Sequence, residues 1–116
     1  MRLRDLLALA AVLLLLTGCR SAFIDATISN RTSAAIPLIE VEYPSASFGT
    51  ENLASGKDFH YRFKVLGDGP VKVIYTDSTH QEKRSSGPAL REGDQGSLVI
   101  LFAADGVHWQ GDPAKH

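Results

Sequence analysis

Apolar and polar residues alternate through much of the chain after Phe23, as they do in strands that bury one face. The clearest stretch is 57–66, where apolar side chains at every second position alternate with polar ones: Phe59, Tyr61, Phe63 and Val65 against His60, Arg62 and Lys64. Because successive side chains leave a strand on opposite faces, we expect the first group in the core and the second in solvent. After Phe23 no window of ten or more residues has helical spacing of apolar positions, so the pattern predicts an all-β domain.

A glycine-rich turn, Gly67-Asp68-Gly69, follows this stretch and predicts a hairpin. The next segment, 70–77, alternates in the same way. With a three-residue loop the two patterns agree in register and set Val71 opposite Val65. We therefore expect 57–66 and 70–77 to be neighbours in one sheet.

The most apolar segment is 97–103, which is apolar on both faces and predicts a central or covered strand. The dipeptide Asp105-Gly106 after it is a signal for a two-residue hairpin loop. That loop length sets Phe102 opposite Trp109, which places Trp109 in the core. The remaining residues, 111–116, are expected to be a disordered tail.

The amino-terminal half of the domain predicts two more strands, at 23–29 and 36–43. They are joined through Asn30-Arg31-Thr32-Ser33, which we interpret as a turn although Asn30-Arg31-Thr32 matches a glycosylation acceptor. A short irregular strand is expected within 45–53.

Residues 81–86 contain no apolar side chain and predict an exposed edge strand or a loop. Residues 87–96, with a proline and three glycines, are a predicted connecting loop. Six or seven antiparallel strands within 23–110 favour a single small β-sandwich of immunoglobulin-like or transthyretin-like type. A small β-barrel is the alternative.

The first residues have a different pattern. Arg2 and Arg4 precede an uncharged segment at 6–16, which has the layout of a secretory signal and is shorter than the roughly 20 residues of a spanning helix. The box Leu16-Thr17-Gly18-Cys19 resembles the lipobox of bacterial lipoprotein precursors. The resemblance implies diacylglycerol on the Cys19 thiol, cleavage before Cys19 and acylation of the new amino terminus. It makes 1–18 a signal peptide and 19–22 a lipidated tether.

Lipidation would fix where the domain resides, because two or three acyl chains hold a protein stably on a membrane. Arg20 follows Cys19 in place of the aspartate that commonly signals inner-membrane retention. The resemblance therefore implies the periplasmic face of the outer membrane if the source has two membranes. Only Arg20, Ser21 and Ala22 separate Cys19 from Phe23, so we expect the domain within about 15 Å of the headgroups.

Composition argues against several classes of function. Cys19 is the single cysteine, so disulfides, a redox pair and a thiolate zinc site are not expected. The formal net charge is −1, and the loss of Arg2, Arg4 and Asp5 with the signal peptide brings it to −2. The two signs are interspersed, so nucleic-acid binding is not expected.

No arrangement of residues predicts catalysis or a cofactor. The histidines His60, His80, His108 and His116 lack metal-ligand spacing, and the chain has no Gly-x-Ser-x-Gly elbow. Glu40 and Glu42 share the solvent face of their strand, so we expect no paired-acid chemistry from them. We expect no catalytic residue, no metal, no cofactor and no enzymatic activity.

Two function classes remain. The first is a non-enzymatic interaction or accessory module at the cell envelope, which contacts a membrane-apposed protein through an outer apolar surface formed by Ile74, Val99 and Leu101. The second is a periplasmic small-ligand binder or inhibitor that uses the loops 45–56 and 87–96.

Overall fold

The computed structural model describes residues 22–112, which form eight β-strands. They are β1 (Ile24–Asn30), β2 (Ile36–Tyr43), β3 (Ala46–Leu53), β4 (Asp58–Phe63), β5 (Gly69–Thr76), β6 (Glu82–Leu90), β7 (Gly96–Ala103) and β8 (Gly106–Asp112). Sheet A has the order β4-β1-β7-β8, and sheet B has the order β3-β2-β5-β6. The two sheets form a sandwich, so the predicted fold class is confirmed and the barrel alternative is wrong. The described strands number eight rather than six or seven, and β1 runs parallel to β7.

The connections between strands lie at two ends of the sandwich. The chain enters β1 at what we call the proximal end, and the opposite end is the distal end. Strand pairing fixes this arrangement, because β1 is antiparallel to β4 and parallel to β7, while β5 is antiparallel to β2 and β6. The proximal end holds 22–23, 44–45, 64–68 and 91–95, and the distal end holds 31–35, 54–57, 77–81 and 104–105.

The core lies between the sheets and consists of apolar side chains that both sheets turn inward. Of the group predicted from 57–66, Phe63 and Val65 are buried and Phe59 is partly buried. Tyr61 is 40% exposed because β4 is an edge strand, and its ring stacks on Phe48 at 4.3 Å between centroids. The buried apolar residues are Ile24, Ala26, Ile28, Ile36, Ile39, Val41, Phe48, Leu53, Phe63, Val65, Val71, Val73, Leu90, Leu98, Ile100 and Phe102.

The hairpin expected at Gly67-Asp68-Gly69 is wrong. β4 pairs with β1 in sheet A, and β5 pairs with β2 and β6 in sheet B. The segment 64–68 therefore crosses between the sheets, and Val65, 1% exposed, is buried where it crosses. The alternation within each strand is as predicted, but Val65 lies in the crossing segment and Val71 lies in sheet B, so their predicted pairing is not formed.

The second hairpin forms with a different loop. Ala103 pairs with Gly106, so the loop is 104–105 rather than Asp105-Gly106. Trp109 lies opposite Ile100, and Phe102 lies opposite Val107. The predicted register is wrong by two residues, which leaves every side chain on its expected face because strands have a period of two. Trp109 therefore packs against the core as expected.

Several predicted boundaries also differ. β3 is a regular strand of eight residues rather than a short irregular one, and β6 extends from the predicted edge into the predicted loop 87–96. β6 is an edge strand of sheet B, which confirms the expectation for 81–86. β8 continues through Asp112, so the predicted tail begins too early. The predicted signal peptide, Cys19 and residues 113–116 lie outside the described residues.

Aromatic side chains close the two open sides of the sandwich. Beside β3 and β4, Phe48 stacks on Tyr61, and Tyr43 stacks on Phe63 at 4.0 Å between centroids. Burial raises the pKa of Tyr43, and nearby Tyr61 raises it further. On the other side Trp109 of β8 reaches β6, where its Nε1 donates a hydrogen bond to Ser85 Oγ at 3.0 Å.

Candidate functional site

The three residues of the predicted interaction surface do not form one surface. Val99 and Leu101 lie on the outer face of sheet A, whereas Ile74 lies on the outer face of sheet B. All three are partly exposed. Ile74 is flanked by Glu40 and Arg84, not by Arg62 as the incorrect hairpin implied.

The outer face of sheet A carries a short apolar stripe, Val99 and Leu101, which we call the β7 stripe. Each of its two residues lies between polar neighbours on the adjoining strands: Thr27 and Gln110 beside Val99, Ser29 and His108 beside Leu101. Beyond the stripe the polar groups bond to one another. Thr27 Oγ1 lies 3.1 Å from His60 Nδ1, and Ser29 Oγ donates to Asp58 Oδ1 at 2.7 Å. The β7 stripe is thus an apolar strip between polar neighbours, and on the side of β1 and β4 these neighbours are hydrogen-bonded.

The two loops predicted to bind a small ligand do not meet. Most of 45–56 is strand β3, and 47–51 lines a depression on the outer face of sheet B with Leu38 and Glu40. Gly87 and Pro88 line a separate depression beside Trp109. Neither depression joins the two predicted loops into one pocket.

A cleft of about 380 Å³ opens instead at the distal end, where the sequence did not predict one. Tyr75 and Phe102 meet edge to face along it, with ring centroids 4.8 Å apart and an interplanar angle of 82°. The loops 31–35, 77–81 and 104–105 contribute its rim. Its lining consists of Thr32, Ser33, Ala34, Ala35, Ile36, Tyr75, Asp77, Ser78, Lys83, Phe102, Ala103, Ala104, Asp105 and Gly106.

Asn30 shapes one wall of this distal cleft from beneath. Its side chain is fully buried, and its Oδ1 accepts hydrogen bonds from the Thr32 amide at 2.9 Å and the Thr32 hydroxyl at 2.6 Å. Its Nδ2 donates to the carbonyls of Ala34 and Leu53, both at 2.9 Å. A buried amide with all of these bonds formed is strongly stabilised in one orientation. The turn interpretation of Asn30-Arg31-Thr32 is therefore confirmed.

Asp77 shapes the opposite wall. Its Oδ1 accepts hydrogen bonds from the Thr79 hydroxyl at 2.6 Å and the Gln81 amide at 3.0 Å, and its Oδ2 lies 3.2 Å from Lys83 Nζ. These contacts, led by the Thr79 hydroxyl and the Gln81 amide, hold the pKa of Asp77 well below its usual range. His80 in this turn has a left-handed backbone with φ of 64°. The charges of Asp77 and Lys83 are matched within the protein.

A third charged group at the rim is also paired. Asp105 Oδ1 lies 2.7 Å from His108 Nε2, and this contact lowers the pKa of Asp105. With Asp77 and Asp105 both engaged by basic side chains, the distal cleft offers hydroxyls, backbone groups and aromatic faces. Such a lining suits a neutral or zwitterionic polar group more than an isolated ion.

The three histidines among the described residues lie at separate places in the fold. His60 bonds to Thr27, His80 lies in the β5–β6 turn, and His108 bonds to Asp105. Among residues 22–112 no group of three or more His, Cys, Asp and Glu side chains is arranged to hold a metal ion. Within the same part of the chain no helix is long and apolar enough to cross a membrane.

Comparison with known proteins identifies the fold and no family. No family model matches the chain, and no curated protein matches it either. The NMR structure of a protein from Eubacterium rectale is similar, with a TM-score of 0.55 and 14% sequence identity. The match covers 85% of this chain and 94% of that protein. At this identity the likeness concerns the arrangement of strands alone.

Proposed function

We propose that this protein is a bacterial lipoprotein whose sandwich acts as a non-enzymatic interaction or accessory module at the cell envelope. In a cell with two membranes we place it on the periplasmic face of the outer membrane. One observation carries the proposal: the lipobox ends at Cys19, and β1 begins at Ile24. Cleavage before Cys19 would leave all eight described strands intact and the domain directly beside its anchor.

Cys19→Ser tests the anchor. Without the thiol we expect no incorporation of a radiolabelled fatty acid, and the protein should accumulate as unprocessed precursor or as a soluble secreted domain. Ser21→Ala is the matched control, because it changes a small side chain two residues away and keeps the thiol. Equal labelling of wild type and Cys19→Ser would refute lipidation.

We place the protein contact of this module on the β7 stripe. Apolar side chains bordered by polar groups are the usual composition of a small protein interface. Because the tether is short, the domain stays near the membrane, and we therefore propose a partner that is embedded in, or apposed to, the same membrane. Ile74 is left out of the proposed surface, since it lies on the opposite face of the sandwich among charged neighbours.

Val99→Thr with Leu101→Gln tests this surface. Both changes keep strand-compatible side chains and reduce the apolar area, so we expect the fold to persist and a crosslinked envelope partner to be lost. Ile74→Thr is the matched control on the other sheet and should leave the crosslink intact. Loss of the crosslink in Ile74→Thr but not in the double variant would refute the assignment.

Ligand binding is the second candidate, and the distal cleft favours it. A concave site with two aromatic faces and several hydroxyls is suited to a small polar molecule. Ala35→Phe would fill its rim, whereas Ala89→Phe changes an exposed alanine of β6 outside the cleft. Native mass spectrometry of protein taken from membranes should show an adduct in wild type and Ala89→Phe that Ala35→Phe lacks.

A further inference from the structure

Leu66 is held outward at the proximal end, in the segment 64–68 that crosses between the sheets. The residue is 57% exposed, which exceeds the exposure of Leu38 and Tyr61. The preceding residue, Val65, is buried, and its carbonyl accepts a hydrogen bond from the Gly93 amide at 3.1 Å. The crossing segment is therefore fixed in the fold and keeps Leu66 in solvent.

The chain from Cys19 arrives at this same end. Ile24 pairs with Phe63, so Ala22 and Phe23 lie at the same end of sheet A as the start of the crossing segment. The Phe23 carbonyl accepts a hydrogen bond from the Gly96 amide at 3.1 Å, which attaches the start of the domain to β7. The anchor and Leu66 thus belong to one end of the molecule.

We propose that the proximal end lies on the bilayer and that Leu66 inserts among the lipid headgroups and the upper acyl chains. The inference rests on the lipidation of Cys19 proposed above. Three residues separate Cys19 from Phe23, and each spans at most about 3.6 Å, so the tether cannot lift this end far from the surface. Lys64, exposed in the same segment, can place its stem beside Leu66 and its ammonium group at the phosphates.

The charges of this end do not select a particular lipid. Asp68 Oδ1 accepts a hydrogen bond from the Glu92 amide, and Asp94 Oδ2 accepts one from the Arg91 amide, both at 2.9 Å. Acidic and basic side chains are both present, so a basic field toward anionic lipid is missing from the described part of this end. The contact is therefore apolar, and it should form on uncharged phosphatidylcholine.

This contact would orient the whole domain. Burying one leucine favours the docked orientation over a freely tumbling one by a factor of about ten or more. In the docked orientation the distal cleft faces away from the bilayer, and the β7 stripe stands along the side of the molecule.

Quenching of tryptophan fluorescence by brominated lipid tests the insertion. The lipidated protein is reconstituted into phosphatidylcholine vesicles whose acyl chains carry bromine near the glycerol end. Leu66→Trp should lose emission that the wild type, with Trp109 alone, retains. Gln81→Trp is the matched control, because Gln81 is exposed at the distal end, and the fraction of its emission that is quenched should match that of the wild type.

A second measurement, hydrogen exchange, uses the wild-type protein and so does not depend on whether a variant folds. Hydrogen exchange of the amides in 64–68 should slow on vesicles relative to detergent, and exchange in 77–81 should stay the same. Equal quenching of Leu66→Trp and Gln81→Trp, together with unchanged exchange in 64–68, would overturn the proposal.

A further sample distinguishes a protein that is not lipidated from one whose Leu66 does not insert. A parallel sample couples the single thiol of the processed protein, Cys19, to maleimide-bearing lipid in the same vesicles. If cells attach no lipid but this sample shows quenching at position 66, the proposed anchor is wrong and the lipid-contacting end is correct. If cells attach lipid and neither sample shows quenching, the anchor stands and Leu66 does not insert.

Discussion

Trp109 closes one side of this sandwich by packing against the backbone at Gly87. A Cβ atom built on Gly87 would lie 2.5 Å from Cε3 of the Trp109 indole, closer than real contacts allow. The ring therefore rests directly on the β6 backbone while its Nε1 bonds to Ser85. The sequence indicated that Trp109 faces inward, but its contact with Gly87 depends on which strands border the open side, which alternation does not encode.

Gly87→Ala should lower the free energy of unfolding by about 1–3 kcal/mol, because the added methyl group displaces the indole from its site. Chemical denaturation followed by circular dichroism measures it. Gly67→Ala is the control: its Cβ would meet Pro44 Cβ at an ordinary 3.5 Å, so a change within about 0.5 kcal/mol is expected. If Gly87→Ala costs as much in a Trp109→Leu background as in wild type, the indole is not the cause.

At the scale of strands, alternation predicted faces well and neighbours poorly. The outward position of Glu40 and the burial of Ile39 and Val41 follow from the period of two. The strand that pairs with β4 could not be predicted from alternation. The sequence Gly67-Asp68-Gly69 is compatible both with a hairpin turn within one sheet and with a crossing from one sheet to the other. What decides between them is burial of Val65 and pairing of β4 with β1, which are contacts distant in sequence.

An engineered disulfide tests that strand order. In a Cys19→Ser background, Thr27→Cys with His60→Cys should crosslink on mild oxidation, because the two positions pair across β1 and β4. Tyr61→Cys with Tyr75→Cys should stay reduced, because these positions lie in different sheets. Thiol labelling and peptide mapping distinguish the outcomes, and the reverse pattern would restore the hairpin.

The β5–β6 turn should make the domain sensitive to acid through Asp77. Its folded-state pKa is lowered, so the unfolded chain binds more protons and stability rises with pH. The contribution of the carboxylate is present above the unfolded pKa of about 3.9 and is lost as the pH falls below it. Melting temperatures from about pH 2 to 5 should therefore depend less on pH in Asp77→Asn than in wild type. Glu92→Gln is the control and should keep the wild-type slope.

At the scale of the whole molecule, the sequence predicted the fold class and missed the distal cleft. The cleft forms where 31–35, 77–81 and 104–105 come together, and these loops are brought together only by the stacking of two sheets. The local parts of the site were accessible from sequence, since Asn30 and Asp77 are turn-forming residues. Their convergence around Tyr75 and Phe102 was not.

The proposed anchor holds the domain close to the membrane through a short tether, and lengthening this tether tests whether that closeness matters. Inserting about 20 flexible Gly and Ser residues after Ala22 should weaken both the contact at Leu66 and recovery of a membrane-apposed partner, because the domain then samples a larger volume. Partner crosslinking and fractionation measure the effect. An equal insertion in the distal 54–57 loop is the control, and if both leave the partner contact unchanged, close apposition has no part in the mechanism.

β1 lies inside sheet A, between β4 and β7, and its first residue follows the proposed anchor. A partner that holds the distal end while the lipid holds Cys19 would apply tension along the axis of this strand. The hydrogen bonds from β1 to β4 run across that axis, and those to β7 slant across it, so they bear the load together in shear rather than opening one after another. With the proposed anchor, attachment through β1 would therefore spread a pulling force over two neighbouring strands, whereas an edge strand such as β8 would share it with one.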